Sequence, residues 1–418
     1  MEISVQYLEG GTHAADVSAQ EARARLRQAF ERVPFAMVLL GWDLAPQVVE
    51  ACAKECALHK SALYLWQPVL TGHRRFELDP TWRVVALDKQ PVRGYEDQPE
   101  FTFFCPNRPA VRDAVLENLS KAVDGGFYQG VFLDRVCFPS PAANIESQFG
   151  CFCEACQEAA RKADLDLSVV RGDALRLIAR REGREAAIRR MFSGTGRHVT
   201  QEPVPLRVAV RSWERMLAFR QRSIGSFVKE VADSAMAQGL KVGLDCFAPT
   251  LAPMVGQDLA LLAGTCDWMK VMTYARAYGP ASLPFEIAGL ADWLARSEGE
   301  SEAAALDYIA EAAGWPLPTT CEEIRGGGLP ASVLTEELRR GWAAKAHPLL
   351  AGIEMVEIPG VAQLSAEQIR ADSAAVIAGA PDGVVLSWDL LHMPLDRLQL
   401  ANSLYGDRPP QAGSKASG

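Results

Sequence analysis

Apolar runs of strand length recur along the chain, separated by stretches in which hydrophobic positions return every three or four residues. The runs fall at 34–42 (PFAMVLLGW), 61–67 (SALYLWQ), 101–105 (FTFFC), 130–136 (GVFLDRV), 240–247 (LKVGLDCF), 267–274 (DWMKVMTY), 350–358 (LAGIEMVEI) and 383–389 (GVVLSWD). Helical patterns lie at 45–59, 109–123, 256–264, 334–346 and 365–378. Pro109 suits a first helical turn, because the donor it lacks has no intrahelical partner there. Ser365 and Gln368 have the spacing of a capping box. Many runs are apolar at consecutive positions, which marks strands buried on both faces and hence a parallel sheet.

Eight such units predict an α/β fold, a (β/α)8 TIM barrel. The rival is a doubly wound open sheet, whose dinucleotide-binding form carries a G-x-G-x-x-G after its first strand; none follows here. Two connections, 139–239 and 275–348, are too long for a minimal barrel and read as helical insertions after strands four and six. The expected organisation is one barrel domain over 1–405, a short polar link at 95–100, and a disordered Gly/Pro/Ser-rich tail at 406–418.

Composition narrows the class. The chain has 418 residues, 49% of them hydrophobic, enough for a large buried core. No apolar run reaches membrane-spanning length, and the first ten residues are polar and acidic rather than signal-like, so a cytoplasmic protein is expected. A net charge of -9 disfavours nucleic acid. The six histidines show no H-x-H or H-E-x-x-H spacing. Ten cysteines in a chain of this kind point to thiols or a metal rather than disulfides.

In a barrel, residues at the C-terminal ends of strands converge on one pocket. The acids so placed are Asp43, Asp134, Asp245, Glu354, Glu357 and Asp389, accompanied by Trp42, Trp66, Tyr274 and Trp388. Carboxylates mixed with flat aromatic faces suit sugars, and glycoside hydrolysis needs a carboxylate pair. Glu354 and Glu357 have opposite strand parity, so a regular strand aims only one of them inward. Lys270 shares a face with Met272 and Tyr274 and is expected to neutralise a buried carboxylate. Asp134 ends an apolar strand directly before Cys151, Cys153 and Cys156. That C-x-C-x-x-C gathers three thiolates, and tetrahedral zinc asks for a fourth, from Cys105 or Cys137. Cys52 and Cys56 share a helix face and read as packing, and the glycines at 326–328 read as a hinge.

Phe104-Cys105-Pro106-Asn107, the acid ending strand four, and the C-x-C-x-x-C together resemble glycoside hydrolase family 42 β-galactosidases. The resemblance implies a structural zinc held by Cys105, Cys151, Cys153 and Cys156. It also implies an acid/base at Asp134 and a nucleophile on strand seven, Glu354 or Glu357. The strand-four position carries Asp134 where that family has an Asn-Glu pair. Wider segments (GVFLDRVCFPSP, VGLDCFAPTLAPMVGQD, DWMKVMTYARAYGPA, DGVVLSWDLL) resemble uncharacterised bacterial glycoside hydrolase-type barrels. The G-V-F-L-D strand is similar to polygalactosaminidase-like barrels, and M-x-Y with a last-strand Trp to chitinase-type barrels; the chitinase D-x-x-D-x-D-x-E signature is absent.

The expected activity is hydrolysis of a glycosidic bond by Asp134 with Glu354 or Asp245. Trp42, Asp43, Lys270, Tyr274, Trp388 and Asp389 are expected to hold the sugar. The alternatives are a catalytically inactive carbohydrate-binding barrel, or a lyase or isomerase acting on sugar derivatives with Lys270 or Tyr274 as base. Structural zinc is the expected cofactor, with no organic one. The expected partner is a carbohydrate or glycoside, not nucleic acid or membrane, and homo-oligomerisation stays open.

Overall fold

The computed structural model describes residues 1–10, 16–73, 79–95, 98, 101–140, 149–193, 204–296, 301–346 and 348–406. Eight parallel strands close into a barrel in chain order: β1 (Glu2–Tyr7), β2 (Met37–Leu40), β3 (Ala62–Pro68), β4 (Gly130–Asp134), β5 (Lys241–Phe247), β6 (Trp268–Met272), β7 (Leu349–Glu354) and β8 (Gly383–Ser387). Helices α1 (Ala19–Phe30), α2 (Pro46–Leu58) and α3 (Pro109–Val123) follow the first three strands. Four helices follow β4: α4 (Glu154–Lys162), α5 (Leu167–Ile178), α6 (Arg181–Ser193) and α7 (Val204–Ala237). A short α8 (Leu259–Ala263) follows β5. Four more follow β6: α9 (Leu283–Leu294), α10 (Glu302–Ala313), α11 (Cys321–Gly327) and α12 (Ser332–Ala343). α13 (Ala366–Ala378) and α14 (Leu395–Ala401) complete the chain order.

The closed parallel barrel agrees with the sequence expectation, and so do Pro109 opening α3 and the Ser365–Gln368 capping box of α13. Two strand positions differ. The segment 101–105 is not a barrel strand. Phe103 and Phe104 make isolated antiparallel bridges to Thr71 and Arg83 in the long excursion after β3. Their apolar pattern reports burial in that loop, and a hydrophobic run does not record which backbone it pairs with. Cys105 is therefore a loop residue rather than a strand end. The barrel instead closes through β1, whose alternation is inverted relative to a solvent-facing strand. Ile3, Val5 and Tyr7 pack outward against the helices, where the Tyr7 hydroxyl donates to the Ala22 carbonyl at 2.8 Å. Ser4 and Gln6 are buried on the inner face. The segment 326–328 forms the last turn of α11 and its cap; Gly328 has φ of +73°, and a Cβ there would stand 2.2 Å from the Ala275 carbonyl oxygen. The tail at 407–418 lies outside the described residues.

The lower barrel interior is aromatic and aliphatic: Leu39, Tyr64, Trp66, Phe132, Trp268, Leu350 and Val385 form one cluster with Trp42 above them. Phe132 stacks on Trp268 with centroids 5.1 Å apart. Fully burying each large apolar side chain contributes about 1.5–3 kcal/mol. Two inward glycines make room. A Cβ on Gly243 would stand 2.2 Å from the Trp268 ring, and one on Gly352 would stand 2.5 Å from Lys270 Cε. The second opening lets a long charged side chain cross the barrel.

Candidate active site

Above the aromatic layer the inner wall turns polar. Lys270 on β6 is fully buried and reaches across the barrel. Its ammonium donates to Asp245 Oδ2 of β5 at 2.8 Å and to Gln6 Oε1 of β1 at 3.0 Å. The faces of Phe132 and Tyr274 lie 5.5 Å and 5.3 Å from its nitrogen. Burial raises the Asp245 carboxyl to about 7, with Lys270 pulling it down and Asp134 pushing it further up. Asp134 is the next charge along. The β4–β5 register pairs Leu133 with Leu244, so Asp134 and Asp245 follow at one level on adjacent strands, about 5 Å apart at the backbone. Asp134 is half-buried and accepts from Trp66 Nε1 at 2.9 Å and from the Arg135 amide. Trp66 meets Trp42 edge to face at 5.3 Å. The Arg135 guanidinium covers both Trp42 and Phe101 at 5.4 Å.

The other strand-end acids are engaged by backbone amides or lie elsewhere. Glu354 accepts from the amides of Ala275, Arg276 and Ala277 at 2.6–3.3 Å, tying β7 to the loop after β6. Burial raises it to about 7 against those three donors. Asp389 accepts from the amides of Leu8, Glu9 and Leu391 at 2.9–3.0 Å, bridging the β8–β1 seam. Glu357 is exposed beyond the end of β7 and pairs with Arg397 at 3.4 Å. Asp43 accepts from His73 Nδ1 at 2.9 Å, while Gln67 and Asn118 each approach His73 Nε2 at 3.3 Å. Trp388 is half-buried and meets Tyr274 edge to face at 5.5 Å.

Three polar residues near this layer carry no strong sequence signal. Gln6 sits on the strand the pattern did not reveal. His73 belongs to the excursion after β3. Glu286 is fully buried in the first turn of α9, accepting from Ser140 Oγ and from the Ala281 amide. Its carboxyl is pushed up to about 7 by burial. An inward Gln on a short strand looks like a surface residue until the opposite wall is known.

The sulfur atoms of Cys105, Cys151, Cys153 and Cys156 all lie within 4.8 Å of one another, and all four residues are buried. Two neighbours point donors at this cluster: the Val85 amide at Cys151 and the Asn107 side chain at Cys156, both 3.3 Å from sulfur. Four thiols in one buried cluster with N–H donors aimed at them fit a tetrahedral zinc, whose Zn–S bonds are about 2.3 Å. Cys137, the other candidate fourth ligand, is buried outside this group. Cys52 and Cys56 pack inside α2.

The closed eight-stranded parallel barrel is similar in fold to solved glycoside hydrolases. One is the glycoside hydrolase domain of PgaB (BpsB) from Bordetella bronchiseptica: 11% identity, TM-score 0.56, covering 97% of this chain and 99% of that one. Another is Gan42B, a GH42 β-galactosidase from G. stearothermophilus: 12% identity, TM-score 0.53, covering 97% of this chain and 56% of that one. A third is an alpha-L-fucosidase from Paenibacillus thiaminolyticus: 13% identity, TM-score 0.52, covering 97% of this chain and 49% of that one. The chain thus spans about half the length of the last two. At these identities the likeness is one of fold. No protein-family model and no curated protein sequence matches the chain. Among the described residues no helix is long and apolar enough to cross a membrane.

Proposed function

We propose that the protein is a glycoside hydrolase that acts through Asp134 and Asp245. The observation that carries this reading is their placement at one level on adjacent inner strand ends, with Asp245 raised to about 7. Burial, reinforced by the neighbouring Asp134 charge, raises the Asp245 carboxyl and favours its protonated form up to about neutral pH. The protonated carboxyl gives its proton to the leaving glycosidic oxygen. The ionised one attacks the anomeric carbon or draws a proton from the attacking water. Backbone spacing of about 5 Å suits the closely set carboxyls of a retaining enzyme. Lys270 keeps the buried dyad from carrying uncompensated charge. Trp388, half-buried and backed edge to face by the buried Tyr274, offers an aromatic face for the apolar side of a sugar ring. Glu354, engaged by three amides, positions the loop that carries Ala275 to Ala277. The four cysteines would hold a structural zinc that pins the excursion after β3 to the segment after β4; with four sulfur ligands it offers no vacant position to substrate.

Screening purified protein against 4-nitrophenyl glycosides and oligosaccharides tests the activity. On the best substrate, Asp134→Asn and Asp245→Asn are each expected to lower kcat by about 10²–10⁴-fold. Glu354→Gln is expected to cost stability before it costs chemistry. Full activity in Asp134→Asn would overturn the assignment. A second reading is a sugar-binding barrel without turnover, favoured by the ion pair that engages Asp245. It predicts glycoside binding by the wild type with no product.

A further inference from the structure

Helix α7 carries an apolar stripe at helical spacing, in which Trp213, Met216, Leu217, Ile224 and Phe227 are all buried. Arg220 occupies the middle of that stripe and is buried with them. Its Nε and Nη2 have no hydrogen-bond partner among the described residues. The other two buried arginines are placed differently: Arg184 donates to the carbonyls of Ile178 and Leu294, and Arg190 pairs with Glu214 at 2.6 Å. The Phe138 ring lies 4.7 Å from the Arg220 guanidinium, and a ring face offsets only part of the cost of taking that cation out of water. The same stretch of α7 abuts the cysteine cluster. Ser223, one turn on from Arg220, accepts from the Asn107 side chain at 2.9 Å, and that amide nitrogen also donates to Cys156 Sγ at 3.3 Å. Burial draws the Arg220 guanidinium down to about 10; the charges that hold it up are those of Cys137, Cys151 and Cys156, with no carboxylate among them. Burial pushes the Cys137 thiol well above its ordinary range, so it brings no charge at neutral pH.

We propose that Arg220 is the counter-cation of the four-cysteine zinc site, a positioning residue outside the ligand set that governs how tightly the metal is held. The proposal rests on the zinc reading above. With the metal bound, four thiolates and one Zn²⁺ leave two negative charges in a buried pocket. A buried anion without a cation and a buried cation without an anion are each costly, and side by side they compensate. The Val85 amide and the Asn107 side chain give the sulfurs N–H donors, and Arg220 adds a full positive charge. Packing alone would not give the consequence that follows. Removing the charge weakens the zinc-loaded protein, which loses its compensation, and relieves the metal-free protein, in which the guanidinium is buried without an anion.

The test is zinc affinity, measured on the full chain by competition with a chromophoric chelator, together with melting temperatures of the zinc-loaded and chelator-stripped protein. Arg220→Met continues the apolar stripe with a side chain of similar length and no charge. Its zinc dissociation constant is expected to rise about ten- to hundredfold. Its loaded form should melt below the loaded wild type, and its stripped form at or above the stripped wild type. Arg220→Lys keeps the charge and is expected to bind zinc at least about threefold more tightly than Arg220→Met. Arg220→Gln, neutral and polar, carries the same comparison if Arg220→Met does not fold. Affinities within about threefold of one another in the wild type and the neutral variant would overturn the proposal and leave the zinc site standing. An equal drop in melting temperature for the loaded and stripped forms would do the same, because it would mark a packing role alone. A wild type that takes up no zinc would end both this proposal and the zinc reading.

Discussion

At the residue scale, the same chemical group serves opposite purposes according to its partners. Asp245, Glu354 and Glu286 are all buried carboxyls raised to about 7. Asp245 faces an ammonium and a second acid, Glu354 faces three amides, and Glu286 faces one hydroxyl and one amide. Glu286 gives the cleanest pH dependence, because no charged group enters its shift. Its ordinary value is 4.5 and its folded value about 7, so the fold retains a proton that the unfolded chain has released across that window. The contribution is full below pH 4.5 and is lost as pH rises through about 7. Glu286→Gln, neutral throughout, should therefore gain on the wild type by about 2–3 kcal/mol between pH 5 and pH 8. Urea unfolding midpoints at the two pH values measure this; parallel behaviour of the two proteins would refute it.

At the element scale, loops rather than strands hold the rim together. The excursion after β3 and the segment before α4 meet at the four cysteines, and Val85 donates to Cys151 from the same excursion. A zinc there would close a long loop, which otherwise loses conformational freedom without compensation. Metal analysis of the purified protein should find about one zinc per chain. Cys153→Ser should lose it and melt at a lower temperature. A wild type free of zinc and equally stable would end the proposal. The cysteine spacing was legible because ligand geometry is local, whereas the fourth thiol depended on the loop path. Cys105 joins the cluster from within the excursion, not from a strand end as the pattern suggested.

At the scale of the whole molecule, closure of the barrel is what makes one site from eight strands. β1 pairs with β8 through the register Glu2–Gly383 to Val5–Leu386. Asp389 reinforces that seam by accepting three amides, two of them just beyond β1. Asp389→Ala leaves those donors buried or half-buried without their acceptor and is expected to cost about 2–4 kcal/mol of stability. Asp389→Asn should recover part of it. Equal urea midpoints for Asp389→Ala and wild type would show that the seam holds without the carboxylate. Closure also brings Gln6 opposite Lys270, a contact spanning 264 positions in the chain.

Seven of the eight strands, the helix starts at Pro109 and Ser365, and the acids at strand ends follow from hydrophobic period and local chemistry, and these are properties of short windows. The parallel barrel follows because strands apolar on both faces need helices on the outside. The tertiary structure alone decided which acids remain available. Asp43, Glu354 and Asp389 carry the same charge in the sequence as Asp134 and Asp245. Their roles diverge through the amides and the imidazole that the folded loops bring to them. β1 escaped the pattern because its inward residues are polar, and a polar inner face makes sense only when Lys270 arrives from the opposite wall. Periodicity reports which side of an element is buried; what that side meets is set by distances that only the closed barrel defines.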